Sequence, residues 1–421
     1  MSNKMYENFT EVLKHELVPA LGCTEPIAIA FTAAKAREVL GHMPEKMKVS
    51  CSGNIVKNVK SVTVPSTDGL KGIASSAIAG AVNGDSSLEY EVLKPITREN
   101  VETVRHFLEE GMCEVGLLDT EAVLDIEVRM SAGNDSVVVE VKDEHTHIDH
   151  IEKNGEIIYQ AKSEAAAENA VMLDPDTTLP DILWYADHVD LNDVKDIIEE
   201  QINKNLMIAE EGLRRPYGAN VGKNIMKTCR DCTDKAVAYA AAGSDARMDG
   251  CKLPVVINSG SGNQGLTVSM PVYIFAEEYN VSHEKMLRAV VFSNMTAIYQ
   301  KSKLGKLSAY CGAVSAACAS GAAITYMLGG TYEQIENTLT NAIATLSGIV
   351  CDGAKASCAA KIATAVDSAI LAHKMAMSGD VLKSGEGLIA DTLQETIEAY
   401  TTMGRDGMRE TDRMILKMMT S

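Results

Sequence analysis

The sequence predicts an α+β protein in which a mixed N-terminal region with short strands packs against a mostly α-helical C-terminal body. Three observations carry this. Between about residues 45 and 165 apolar residues alternate in short runs such as DIEVRM and SVVVEV, the period of half-buried strands. From Leu191 onward the period lengthens to that of helices, in windows too long for strands. Small residues and methionine dominate the apolar set while aromatics make up only 5% of the chain, which suits closely approaching helices better than an aromatic-rich sandwich.

Residues 5–19 have helical spacing. The turn LGCTEP follows, then a second helix, IAIAFTAAKAREVL, with Thr24 as N-cap and Pro26 in the permitted first turn. MKVSCSG and VKSVTVP read as short strands around a turn near Asn54. GIASSAIAGAVNG reads as a small-residue helix ending in glycine, and residues 101–110 as another helix. AVLDIEVRM and DSVVVEVKD alternate as strands joined by SAGN, and HTHIDHIEKNGEIIY forms a hairpin turning at Asn154-Gly155. Four regions result. Residues 1–44 are N-terminal helices carrying the GCTEP turn, expected to pack back on the C-terminal body. Residues 45–165 are an α+β domain, and 166–190, with Pro175 and Pro180, a linker or crossover. Residues 191–421 are mainly helical. Helices are expected there over 191–211, 220–242, 264–279, 282–300, 307–328, 331–346 and 353–377, with one or two more in the methionine-rich tail, 383–420.

Charge and composition narrow the function. With 39 basic against 58 acidic side chains the net charge is −19, which argues against nucleic acid and anionic membranes as partners. MSNKMYENFTEVLKHEL lacks the apolar stretch of a secretory signal, and ten cysteines in 421 residues are too sparse for a disulfide scaffold. Free thiols in a reducing cytoplasm are the expectation. The longest uncharged run, 307–330, has the length of a membrane span, but its Ala, Ser and Gly content makes it a tightly packed internal helix. A homodimer is the simplest closed assembly.

The cysteines pose the chemical question. Cys351 and Cys358 are seven apart, as are Cys311 and Cys318. In a straight helix such a pair shares one side but is separated by about 10.5 Å along the axis, too far to ligate one metal atom. In CDGAK, however, Asp352-Gly353 can break the chain before a helix starts at Ala354, so that Cys351 and Cys358 reach different irons of a cluster; two core cysteines explain the spacing as well. Cys23 lies in GCTEP just before a helix, where backbone amides and the helix dipole favour a thiolate; a small residue completing a tight turn is the alternative. Cys229 and Cys232, in KTCRDC, have no second Cys-x-x-Cys partner and read as incidental thiols.

Other polar groups cluster in loops. NSGSGNQG, after the strand-like LPVVI, offers Ser259, Gly260, Ser261, Gly262, Asn263 and Gln264 at a helix start, an anion nest or a packed turn. It is no Walker loop, and its GxGxxG spacing stands without the repeating βαβ pattern of a dinucleotide fold. Ser52 and Asn54, near Lys57, either touch a small polar substrate or only form a turn. His145, His147 and His150 have the composition of a metal motif, but a solvated hairpin explains them. Lys355 lacks the strand-turn context of a pyridoxal phosphate lysine.

Together, GCTEP, SGSGNQG, SAYCGAVSA and CDGAKASCAAK resemble the bacterial and archaeal cysteine desulfidase-like family. More distantly, they are similar to the α portion of iron–sulfur-dependent L-serine dehydratases. The resemblance runs through most of the chain and is strongest over 20–35 and 205–375. It implies an oxygen-sensitive [4Fe–4S] cluster on Cys311, Cys351 and Cys358, with one iron open to substrate and Cys318 as the rival ligand. It also implies a catalytic Cys23 and a glycine loop near the substrate carboxylate; beside it, the chemistry of elimination gives Lys355 and Asn263 the task of stabilising the carboxylate or the developing carbanion. The implied reaction is α,β-elimination of L-cysteine to pyruvate, ammonia and hydrogen sulfide. L-serine dehydration is the nearest alternative, and a non-catalytic small-molecule-binding protein another.

Overall fold

Two apolar cores, one for each period of the sequence, organise the chain. The computed structural model describes residues 2–161, 171–305 and 309–420. The first part contains α1 (Asn3–Glu16), β1 (Pro19–Leu21), α2 (Thr24–Leu40), β2 (Lys46–Cys51), α3 (Gly53–Val59), α4 (Ile73–Asn83) and α5 (Arg98–Glu109). It continues through β3 (Cys113–Leu117), β4 (Asp125–Ala132), β5 (Asp135–Lys142), β6 (Ile148–Lys153) and β7 (Glu156–Gln160). Strands β2 to β7 form a six-stranded sheet in the order β3-β2-β4-β5-β6-β7. Only the β2–β3 pair is parallel. The β6–β7 hairpin turns at Asn154-Gly155, both left-handed, as a two-residue primed turn requires. Helices α2 and α4 lie on the buried face, where Ile27, Ala30 and Ile78 meet Val49, Val128 and Val139.

The second part holds α6 (Leu179–His188), α7 (Leu191–Arg214), α8 (Val221–Lys227), α9 (Cys232–Met248), β8 (Pro254–Val256), α10 (Gly262–Glu278) and α11 (His283–Leu304). It ends with α12 (Gly312–Met327), α13 (Tyr332–Leu346), α14 (Ser357–Met377), α15 (Leu393–Thr402) and α16 (Arg409–Thr420). The architecture is α+β. Helix α12 is buried along its length from Ala313 to Met327, enclosed by α10, α11, α13 and α14. Among the described residues no helix is long and apolar enough to cross a membrane.

Several elements differ from the sequence expectation. VKSVTVP forms no strand beyond an isolated bridge from Thr63 to Lys71, and the turn expected near Asn54 is the helix α3, in which Ile55 and Val59 are one helical turn apart and both buried. The helix expected over 220–242 breaks into α8 and α9, with Asp231 capping the second through Asp234 N at 3.0 Å. KTCRDC therefore sits in a gap rather than in a helix. Cys23, not Thr24, is the N-cap of α2. The N-terminal helices also separate. α1 joins the helical body through Phe9, Val12 and Leu13, whereas α2, apolar round most of its circumference, enters the core of the sheet. Of the expected linker, residues 166–170 lie outside the described residues, as do 307 and 308 of the expected 307–328 helix, and 179–188 is the helix α6.

A short strand pair is among the contacts that join the two parts. β1 pairs antiparallel with β8, setting Pro19 against Val256 and Leu21 against Pro254. Three residues are too few for a periodicity signal, yet this clip carries the GCTEP turn to the glycine loop that follows β8.

Close helix contacts depend on glycine. A Cβ on Gly80 of α4 would collide with the Ala30 carbonyl of α2. Gly80→Ala is expected to lower stability by about 1–3 kcal/mol, as overpacking of a tight core does. The check is the urea midpoint; an unchanged midpoint would show that the two helices part at no cost.

Candidate active site

At least four of the described helices start at one cavity between the sheet and the helical body. Cys23 is the N-cap of α2, Ser261 of α10 and Cys311 of α12, and Cys358 lies in the first turn of α14. The cavity they line measures about 1160 Å³. Each helix start carries a partial positive charge, so the cavity favours anionic groups.

Local pairing brings the thiols together. Tyr310 and Val350 form an antiparallel bridge, flanked by Cys311 N donating to Ile349 O at 3.0 Å and Cys351 N to Ala309 O at 2.6 Å. With alternating side chains, Cys311 and Cys351 fall on one face of this short ladder. The chain then turns at Gly353, which has φ 91° and no room for a side chain against the Lys57 carbonyl. It enters α14 with Cys358 in the first turn. Cys311, Cys351 and Cys358 all line the cavity. Burial and the neighbouring Cys351 and Cys358 push the Cys311 thiol up to about 12. Cys318 is fully buried in the helical core, away from the cavity wall.

This donor set fits an iron–sulfur cluster better than a lone ion. Among the described residues, no three His, Cys, Asp or Glu side chains converge as a single ion demands. A cluster spreads its cysteine ligands over several irons. Soft thiols from two stretches of chain, lining a cavity larger than a three-carbon amino acid needs, suit that arrangement.

Lys355 is not on the cavity wall. Its Nζ pairs with Asp352 Oδ1 at 2.5 Å and donates to the Asp352 and Gly353 carbonyls at 3.1 and 3.2 Å. Lys361 joins the same carboxylate. Burial raises the Asp352 carboxyl, but the two lysines outweigh it and hold it at about 2. The lysines therefore fasten the loop between Cys351 and Cys358. Lys301, from α11, does line the cavity. Burial pulls its ammonium down to about 8, opposed by Cys351 and Cys311.

Across the cavity Cys23 and Glu25 form an acid–base pair. Cys23 Sγ donates to Glu25 Oε2 at 2.9 Å, and Asn58 Nδ2 donates to Oε1 at 3.1 Å. Thr24 Oγ1 donates to the Gly260 carbonyl at 2.9 Å, tying the turn to the glycine loop. Burial pushes the Glu25 carboxyl up, but His145, the Cys23 thiol and Arg247 together hold it below its ordinary range. The Cys23 thiol is raised well above its ordinary value, first by burial and then by Glu25. The helix start alone favours a thiolate; in this setting the carboxylate carries the charge and the thiol keeps its proton.

The other sequence candidates divide. Ser259, Gly260, Ser261, Asn263, Gln264 and Asn54 line the cavity. Gly262 stands behind it, where a Cβ would collide with Arg247 Nε. Ser52 Oγ donates to Val123 O at 3.0 Å and accepts from Asp125 N at 3.3 Å, fastening β2 to the segment before β4. HTHIDH splits as well. His145 is buried on the cavity wall, while His147 and His150 bond within the hairpin region, to Lys142 O and Gln160 Oε1.

Sequence reading missed Arg247, Lys301 and the contribution of α16. That helix lines part of the cavity, held by Asp412 Oδ1 on the buried Lys57 Nζ at 2.5 Å and by Leu416 over Gly53. The available signal for Arg247 was a lone cation in the alanine-rich AYAAAGSDARM.

Comparison with known proteins adds the family context. Residues 87–417 match the model of the serine dehydratase alpha chain. That range holds the glycine loop and the three thiols but not Cys23 or Glu25. A UPF0597 protein of Lachnoclostridium phytofermentans is 51% identical over 416 residues, covering 99% of this chain and 100% of its own. One of Treponema denticola is 43% identical over 426 residues, covering 100% of this chain and 99% of its own.

The thiol states are testable by alkylation. Thiolate fraction and access together set the rate. Cys229 is exposed whereas Cys23 is buried and held protonated. Brief iodoacetamide treatment of the folded protein at mildly alkaline pH, mapped by mass spectrometry, is expected to label Cys229 long before Cys23. Equal labelling would mean that Cys23 is a free thiolate.

Proposed function

The chain belongs to the serine dehydratase alpha-chain family, and on that premise we propose that it is a lyase acting on L-cysteine. It eliminates the α-proton and the β-thiol, giving pyruvate, ammonia and hydrogen sulfide. The observation that carries this reading is the meeting of three thiols and the Cys23–Glu25 pair on the walls of one cavity. A [4Fe–4S] cluster on Cys311, Cys351 and Cys358 would supply, when bound, a Lewis-acidic iron with affinity for sulfur, which favours cysteine over serine.

The chain's own residues handle the α-proton. Cys23 Sγ passes its proton to Glu25 Oε2, already 2.9 Å away, and takes the substrate α-proton in its place. His145 and Asn58 keep Glu25 ionised beforehand, so the pair starts each turnover with a vacant base. The electron pair left on the α-carbon forms the α,β double bond as sulfide departs. The aminoacrylate released tautomerises to the imine and takes up water, yielding pyruvate and ammonia. Enclosure by α16 limits bulk water during the carbanion-like stage.

L-serine dehydration is the second reading, favoured by the family's description. Both amino acids present the same carboxylate and ammonium, and only the leaving group differs.

Assays under anaerobic conditions after iron and sulfide reconstitution separate these readings. The expected result is equimolar sulfide and pyruvate from L-cysteine, with kcat/KM above that for L-serine; a clear preference for serine removes the desulfidase reading. C311S, C351S and C358S are expected to lose the iron–sulfur absorption. C23S is expected to keep it and to lose about 10²–10⁴ in kcat, the usual worth of a positioned acid–base group. Loss of the absorption in C23S, with C311S intact, would reverse the assignment of ligand and catalyst.

A further inference from the structure

Arg247, near the end of α9, heads the large side chains that are fully buried among the described residues; it is 1% exposed. A guanidinium at that depth ordinarily spends its donors on carboxylates or carbonyls, because an unpaired buried charge is costly. Here Nε and Nη2 have no hydrogen-bond partner among the described residues. Glu25 is near enough to feel the charge, but its two oxygens already accept from Cys23 and Asn58.

Two acceptors on the same wall are also unspent. Asn263 Oδ1 and Gln264 Oε1, in the first turn of α10, are buried without a partner among the described residues. The orientation of the Gln264 amide is fixed by Nε2, which donates to the Ser259 carbonyl at 3.5 Å. Gly262 lets this turn close on the guanidinium, since a side chain there would strike Arg247 Nε. Arg247, Asn263 and Gln264 all line the cavity.

An orphan cation beside two orphan carbonyl oxygens is the complement of a zwitterion. We infer that Arg247 anchors the α-carboxylate of a free α-amino acid, while Asn263 Oδ1 and Gln264 Oε1 receive its α-ammonium. A planar guanidinium matches a carboxylate through two parallel bonds, and an ammonium offers only donors, which suits amide oxygens. The site thereby reads the backbone of the amino acid and leaves the side chain to the thiol-lined wall. This inference deepens the lyase reading and rests on its choice of an amino acid as substrate.

The test uses L-alanine, which has both charged groups and no leaving group, so that it binds without being consumed. Calorimetric titration of the reconstituted full chain is expected to show L-alanine binding more tightly than propionate or ethylamine, each of which has one charged group. Arg247→Gln is expected to weaken L-alanine by roughly 30-fold or more, as loss of a buried charged contact does. Arg247→Lys keeps the charge but not the fork, and is expected to fall between. Gln264→Met is expected to weaken L-alanine and leave propionate unchanged. The urea midpoint reports whether each variant folds, and where Arg247→Gln does not, Arg247→Lys decides. Wild-type affinity for L-alanine in a folded Arg247 variant, or equal binding of all three probes, overturns the inference and makes Arg247 a structural residue. The outcomes also separate this inference from the lyase reading. L-alanine held through Arg247 with L-cysteine unconsumed sinks the lyase and keeps the anchor, whereas cysteine turnover with Arg247→Lys binding L-alanine as wild type does the reverse.

Discussion

Several helix starts facing one cavity set the electrostatic condition under which the site exists. Each contributes roughly half a positive charge, concentrated on unsatisfied amides. Arg247 and Lys301 add side-chain cations to the same walls. Such a concentration repels itself unless negative charge enters it. Glu25 answers part of this need; although only 8% exposed, its carboxyl stays ionised because His145, the Cys23 thiol and Arg247 outweigh its burial. The rest falls to whatever binds. The chain as a whole carries −19, so the local field opposes the global one. Net charge argues about large anionic partners that meet the surface, not about a small anion that enters a cavity.

Small residues make this convergence possible. Helices can aim their starts at one point only if their bodies pass close together, and Gly and Ala permit that. A Cβ on Gly321 of α12 would lie 2.7 Å from the Ala369 carbonyl of α14, and one on Gly265 of α10 would strike the Val256 carbonyl of β8. The composition that reads as tight packing is thus also what builds the site. The cavity lies at the seam between two separate cores, with the β1–β8 clip holding one wall to the other.

The period of the apolar residues made the fold class legible, and the cysteine spacing pointed to the thiol wall, because both are local properties of the chain. The misses are non-local. β1 is three residues long and takes its identity from β8, more than two hundred positions away. Arg247 lies in the last turn of α9, where a cation normally serves the helix dipole from the surface. Its burial comes from α10 and the GCTEP turn, which no window around it contains. His145 sits in a polar stretch that reads as solvated. Lys355 drew attention by its place between two cysteines, yet its partner is Asp352, three residues back. Proximity in sequence singled out that lysine, whose contacts in the structure all run within its own loop, to Asp352 and the Gly353 carbonyl.

Four cysteines line the cavity, and the proposed chemistry asks different things of them. A thiolate is the form that ligates metal; a thiol that keeps its proton does not compete for it. Burial raises Cys23, Cys311 and Cys358 alike, so it cannot sort them. Their neighbours can. Glu25 stands against Cys23 and adds to the cost of losing its proton, with Arg247 opposing it more weakly. At Cys311 the neighbouring Cys351 and Cys358 raise the thiol further and Lys361 opposes them, and at Cys358 Lys355 and Lys361 oppose Cys351, so on this wall the lysines work toward proton loss. The carboxylate on one wall and the lysines behind the other form a gradient across the cavity. Under the proposed chemistry, one kind of side chain would serve as a proton carrier on one wall and as cluster ligands on the other. Lys355 belongs to that gradient, which gives it a part in the site although it never faces the cavity.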